Sequence, residues 1–240
     1  MKKLIVLSVF IALGMSTYAQ KGLHLGVKAI PQSTWMFNNA DADNSDFVYR
    51  STFRSAFGLD VDYHFTDGVG AGINLLFSGQ GQKFRSDGGL AEGFRKLTYL
   101  KLPILLNFNT SSESVVMFKG SLGPQFAFPI KGTLETNGTT FFGTYSNERD
   151  IKDYYKVDIG IVFGFGLGFN ITDYLQASLG LRFDAGFTSE DTDMTNSIGA
   201  ASPGDIQFAF PKENNGGLRG STTQVTGGVE IGFKYILRMD

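Results

Sequence analysis

Cysteine is absent from the 240 residues. That excludes a disulfide framework, thiolate metal centres and a lipid anchor carried on an N-terminal Cys. Long hydrophobic runs are missing as well. Past the N-terminus no 18 consecutive apolar residues occur, so no helix there can span a bilayer. A basic excess is also lacking: the formal net charge is −2. Nucleic-acid binding needs a basic footprint, so this balance argues against it. Only two histidines are present, and no Gly-x-Ser-x-Gly, His-Glu-x-x-His or phosphate-loop motif occurs. What is plentiful is glycine, with 31 residues, and phenylalanine, with 23. A hydrophobic share of 42% is ordinary and does not suit a polytopic helical protein. The length suits one domain, or a single barrel with long loops.

Residues 1–19 read as a signal peptide, leaving a mature chain of 20–240. Lys2 and Lys3 form the charged region and Leu4 to Leu13 the apolar region. Thr17 and Ala19 supply small residues at −3 and −1 of a cleavage site before Gln20. The apolar run is short for a membrane anchor helix. Losing Lys2 and Lys3 from the 21 Lys plus Arg leaves 19 against 23 acids, a formal charge of −4.

The stretch Ser55–Phe65 sets the reading. Phe57, Leu59, Val61, Tyr63 and Phe65 alternate with Ala56, Gly58, Asp60, Asp62 and His64. A strand sends alternate side chains to opposite faces, so one face is wholly apolar and the other small, charged or imidazole. Eight segments carry this alternation: about 22–30, 55–65, 69–79, 97–108, 115–128, 155–169, 175–187 and 225–235. Their links alternate in length. Short ones fall at 66–68, 109–114 and 170–173, and long ones at 31–52, 80–96, 129–153 and 188–223. An even strand number with short and long links in turn is the pattern of an outer-membrane barrel, with periplasmic turns and external loops. The expected fold is therefore all-β: an eight-stranded antiparallel up-and-down transmembrane β-barrel with four long external loops and both termini periplasmic. A soluble eight-stranded barrel would place its polar face outside. Here the polar face carries the glycines, which suit a narrow lumen. Asn137-Gly138 in the third long link favours a type I′ turn, so that link is expected to form a hairpin there. Ile206, Phe208 and Phe210 alternate within the fourth.

The phrase Tyr99-Leu100-Lys101-Leu102-Pro103-Ile104-Leu105-Leu106, with the signal and the eight-strand rhythm, resembles the PorT-like outer-membrane β-barrel family over 20–240. The resemblance implies residence in the outer membrane. Through the family's namesake it also implies an accessory role in a protein secretion system. Many such barrels end on Phe, whereas this chain ends Leu237-Arg238-Met239-Asp240; Phe233 and Tyr235 would then serve as the terminal insertion signal.

The polar faces carry Lys28, Lys101, Lys119, Lys156, Arg182 and Lys234 against Asp60, Asp62, Asp158, Asp184 and Glu230. Eight strands leave an interior just wide enough for side chains. Unpaired charge there is costly, so the expectation is a plugged lumen laced with ion pairs rather than a conducting channel. Lys156 and Asp158 open the sixth segment, and Arg182 and Asp184 close the seventh. These four are expected to form one cluster near the external mouth, as a salt-bridge plug in preference to a ligand or ion site. His24, His64 and Asp62 are expected together at the periplasmic end. Such a set could hold a metal or do acid–base work. A pH-sensitive hydrogen-bond cluster is the better reading.

Gly68-x-Gly70-x-Gly72 is no dinucleotide fingerprint, because a strand and not a helix follows. Asn137-Gly138-Thr139 matches a glycosylation acceptor, a motif common by chance. Outward aromatics mark both strand ends: Tyr63, Phe65, Phe108, Phe169 and Tyr235 on the periplasmic side, and Phe77, Phe126, Phe128, Tyr155 and Phe187 on the external side. Both rows suit interfacial girdles. No cofactor is expected. The expected protein is a non-enzymatic, monomeric outer-membrane barrel embedded in outer-membrane lipid. Its external loops would be the surface for envelope or secretion proteins. A small pore or solute-binding barrel is the alternative.

Overall fold

The period-2 segments do become strands, and most run further than the alternation indicates. The structure is a computed structural model that describes residues 22–42, 47–86, 88–110, 114–140, 143–188, 190 and 220–238. The signal segment and Ile206, Phe208 and Phe210 lie outside the described residues. The elements are β1 (Gly22–Phe37), a helical turn α1 (Asn39–Ala42), β2 (Phe47–His64), β3 (Val69–Ser86), β4 (Ala91–Asn109), β5 (Val116–Thr140), β6 (Gly143–Asp150), a 3-10 turn (Lys152–Tyr154), β7 (Asp158–Asn170), β8 (Leu175–Gly186) and β9 (Thr223–Arg238).

All pairings are antiparallel. The ring runs β1-β2-β3-β4-β5-β7-β8-β9 and closes between first and last strands, with Leu25 opposite Tyr235 and Val27 opposite Phe233. Eight strands thus form the barrel, and β6 is an external strand on the upper half of β5. Closure leaves no strand edge inside a bilayer, where unpaired backbone groups would be costly.

The faces sort as in a membrane barrel. Phe57, Leu59, Val61, Tyr63 and Phe65 are 45–60% exposed, while Ala56, Asp60, Asp62 and His64 are almost fully buried. Ile161, Phe163, Phe165, Ile231 and Phe233 repeat the exposed belt on the opposite wall. Phe57 to Phe65 covers about 27 Å along the strand at 3.4 Å per residue. With the usual tilt that spans about 19–22 Å of depth, most of an apolar band of roughly 25 Å.

Two short turns share one sequence device. Phe65-Thr66-Asp67-Gly68-Val69 and Ile171-Thr172-Asp173-Tyr174-Leu175 each place a threonine three residues before the next strand. The Thr66 hydroxyl accepts from the Val69 amide at 3.0 Å, and the Thr172 hydroxyl from the Leu175 amide at 3.0 Å. A side chain standing in for a backbone acceptor fixes a tight reversal.

The external side departs from the expected long loops. β3 and β4 pair out to Arg85 opposite Glu92, so only residues 87–90 separate them. Asn137-Gly138 is not a turn. Both lie within β5, opposite Ser146 and Tyr145, and pairing continues to Thr140 opposite Gly143. Tyr145 packs on Gly138, so a ring covers the glycine and the strand continues through it. The result is a tall wall made by β2 to β5, with 18 to 25 residues per strand, against 12 to 16 in β7, β8, β9 and β1.

Two register shifts change the phase on that wall, between Ser51 and Ala56 in β2 and beside Thr98 and Tyr99 in the β4–β5 pair. An extra residue on one strand flips the following side chains to the other face. In β5, Met117 and Gln125 point inward below the shift, whereas Leu134 and Thr136 do so above it.

Inward glycines mark where neighbouring strands crowd. A Cβ at Gly58 would overlap the Leu75 carbonyl, and one at Gly123 the Ile104 carbonyl. Gly58→Ala is expected to destabilise the barrel by about 1–3 kcal/mol, as overpacking does. Urea titration of the refolded protein measures it. Gly88→Ala, with open space around it, is the control and should change little.

Candidate functional site

The lumen is the one interior that these strands build, and it is organised in tiers. At the periplasmic end the His24 and His64 rings stack with centroids 4.3 Å apart. They meet because Gly22 pairs with His64 and His24 with Asp62 across β1–β2. Asn109 lies 3.4 Å from His64 Nδ1, and Asn107 donates to Asp62 at 2.9 Å. Asp62 turns to Lys234 and Asn107. Among the described residues, no group of three His, Asp or Glu side chains is placed to hold a metal ion.

Above this, charges alternate in one continuous string. Asp62 pairs with Lys234, and Lys234 with Asp60 at 2.7 Å. Asp60 is 4.0 Å from Lys28, and Lys28 is 3.3 Å from Glu230. Glu230 is 3.4 Å from Arg182, which is 3.5 Å from Asp184, and Asp184 pairs with Lys101. The string joins β1, β2, β4, β8 and β9. Low dielectric makes each such contact strong and each missing partner costly. Glycines provide its seats: a Cβ at Gly72 would overlap the Asp62 carboxylate, and one at Gly26 would crowd Asp60 and Lys234.

The four residues expected near the external mouth separate. Arg182 and Asp184 meet within the string. Asp158 instead accepts from the Thr188 amide at 2.8 Å, over Gly186. Lys156 is not in the lumen: it is exposed, on the segment before β7. Tyr155 also departs from its expected place in the outer girdle and is buried. The cause is the 3-10 turn Lys152–Tyr154 with the bridge between Tyr155 and Glu190, which interrupts the alternation three residues before β7 starts. Lys119 stands apart from the string, with its ammonium on Gln176 at 2.7 Å and its stem over Gly168.

Neutral amides form the next tier. Gln32 donates to Ser78 at 2.9 Å, and Gln80 donates to Thr226 at 2.8 Å. Gln224 donates to the Tyr99 hydroxyl at 3.1 Å. An apolar lid follows: Met36, Phe84, Leu97, Tyr99, Leu134, Ile151 and Tyr155 form one buried cluster. Embedded in the lid is Arg95, wholly buried, 3.0 Å from Asp41 and 3.3 Å from Glu190. Its guanidinium also lies 5.8 Å from the Tyr49 and Phe84 ring centroids. Asp41 belongs to α1, and Glu190 follows β8, so residues from two external links reach into the mouth.

Neither the lid nor the Arg95 triad is evident in the sequence alternation of the eight segments. One signal existed: Arg95 and Leu97 continue the inward phase of Tyr99 and Lys101. Asp41 and Glu190 sit outside any strand pattern and leave no such signal. Beneath the lid, the cavity bordered by Lys28, Asp62, Asn74, Lys119 and Glu230 is about 50 Å³. That is room for a few waters, not for an organic substrate.

An apolar belt outside, a charge-filled interior and a closed ring define an outer-membrane type of β-barrel. The chain belongs to the outer membrane protein beta-barrel domain family, whose model matches residues 15–192. It is thus a protein of the Gram-negative outer membrane. Among solved structures it is similar to Neisserial surface protein A, with 10% identity and a TM-score of 0.46 over 90% of this chain and 98% of that one. It is similar to OprG of Pseudomonas aeruginosa, with 12% identity and a TM-score of 0.44 over 91% and 98%. It is also similar to Ail, the attachment invasion locus protein of Yersinia pestis, with 12% identity and a TM-score of 0.39 over 89% and 99%. No curated protein matches the sequence.

Proposed function

We propose that the protein is a closed, non-catalytic and monomeric barrel of the PorT-like kind, exported through removal of residues 1–19. Its work is done on the external side by the tall wall and the links above it, which meet other envelope proteins. The observation that carries this reading is the stacked obstruction of the lumen: string, amide tier and apolar lid, one above another. The eight charges of the string pair with one another, which supports a filling role over a binding one. A part in a secretion machine is a further reading, and the Tyr99–Leu106 phrase is what favours it.

Planar-bilayer recording of the refolded protein tests the reading. No steady unitary conductance is expected from the wild type. A stable open level would favour the small-pore alternative, with the 50 Å³ cavity as part of its path.

A further inference from the structure

The outer surface of the tall wall carries charge where the other wall carries none. Outward positions of β1, β7, β8 and β9 hold no ionisable residue except Tyr235, up to and including Trp35, Phe37 and Phe183. Above the apolar belt, β2 and β3 present Arg50, Lys83 and Arg85, all exposed. Arg50 lies opposite Lys83, and Val48 opposite Arg85. With Val48 and Phe94 these cations line a groove of about 380 Å³, bordered by Glu92 and Glu135. The Lys83 and Lys96 ammoniums lie over the Phe94 ring, 5.3 and 5.0 Å from its centroid. Arg85 is 3.2 Å from Glu92, and Lys96 pairs with Glu135; among the described residues no ion pair engages Arg50 or Lys83. β6 adds Glu148 and Asp150 beyond β5, so the positive field is centred on β2 and β3.

The groove is continuous with the lipid-facing surface. Phe53, 73% exposed, lies three residues below Arg50 on the same strand, about 10 Å away along it. Long basic side chains just beyond an apolar belt reach the headgroup level. Arginine in particular pairs with phosphate through two parallel donors.

We propose that this groove binds the phosphate-bearing headgroup of an outer-leaflet glycolipid. The acyl chains lie on Phe53, Phe57 and Phe77, and the phosphate sits between Arg50, Lys83 and Arg85. Phe94 and Val48 provide apolar ground for the sugar ring. The binding asymmetry orients the barrel within its lipid annulus, with the β2–β3 side ringed by anionic lipid. None of this depends on whether the lumen is closed.

Native mass spectrometry of the refolded full chain, released from phosphatidylcholine nanodiscs doped with diphosphoryl lipid A, tests it. Wild type should retain lipid A over phosphatidylcholine, and added salt should erode that preference. R50Q/K83Q/R85Q should retain it roughly tenfold to a hundredfold less, and K83R, which keeps the charge that K83Q removes, should retain it as the wild type does. Equal retention by the triple variant would overturn the proposal. So would a preference that persists in high salt, which the wild type reports even where the triple variant fails to refold. Equal capture of the diphosphorylated disaccharide without acyl chains would overturn the lipid assignment, since the aromatic row would contribute nothing.

Discussion

Arg95→Leu is expected to destabilise the barrel by about 3–5 kcal/mol, the cost of removing one partner from a buried ion pair. Arg95 has no exposed surface and pairs with both Asp41 and Glu190. Both carboxylates are buried, so the substitution withdraws the Arg95 charge from two negative groups beside an apolar cluster. The loss should therefore be strongly non-additive. Adding Asp41→Asn and Glu190→Gln to the Arg95→Leu variant should recover much of it, because neutral amides need no counter-charge. Urea titration of the folded fraction gives the stability. Limited proteolysis gives the location, with new cleavage near 38–42 and 187–188 in the single variant. A change below about 0.5 kcal/mol would mean that the triad contributes no more than a surface pair.

Val61→Arg is expected to cost roughly 2–4 kcal/mol, the range for a cation placed at the mid-depth of a barrel's lipid face. Val61 is the middle residue of the exposed row from Phe57 to Phe65 and faces outward at 46% exposure. Its neighbours across the pairing, Leu25 and Ile73, are equally apolar and exposed. Val48→Arg, on the same strand but above the band, should cost little. Measuring refolding into vesicles for both variants separates a membrane-depth effect from a general loss of strand propensity. Similar small costs for both would show that no bilayer surrounds Val61.

Much of this was legible in the residues, and where it was not the reason is local. Phe57 to Phe65 displays the inverted polarity openly, because a two-residue period leaves no room for another regular structure. His24, His64 and Asp62 could be placed together because strand register follows from a short antiparallel ring. The upper wall was harder. Register shifts invert the alternation, so Leu134 faces inward where the lower phase of β5 would send it out. Asn137-Gly138 has the composition of a reversal, yet ladder pairing on both sides of β5 outweighs that local preference. Lys156 and Tyr155 misled for another reason. They keep a strand's composition while a single 3-10 turn draws the chain into the mouth. The Arg95 triad depends on contacts between residues 54 and 95 positions apart, which no local pattern encodes.

The alternating string of charges has a consequence for assembly. Its links cross the seam between the first and last strands: Lys28 of β1 reaches Glu230 of β9, and Lys234 of β9 reaches Asp60 and Asp62 of β2. A sheet that has not yet curled shut leaves these ions facing one another across open space. Pairing of these ions therefore arrives only with the final zipping step. The barrel carries its own test of completion, and a mispaired seam would be rejected by its unmatched ions.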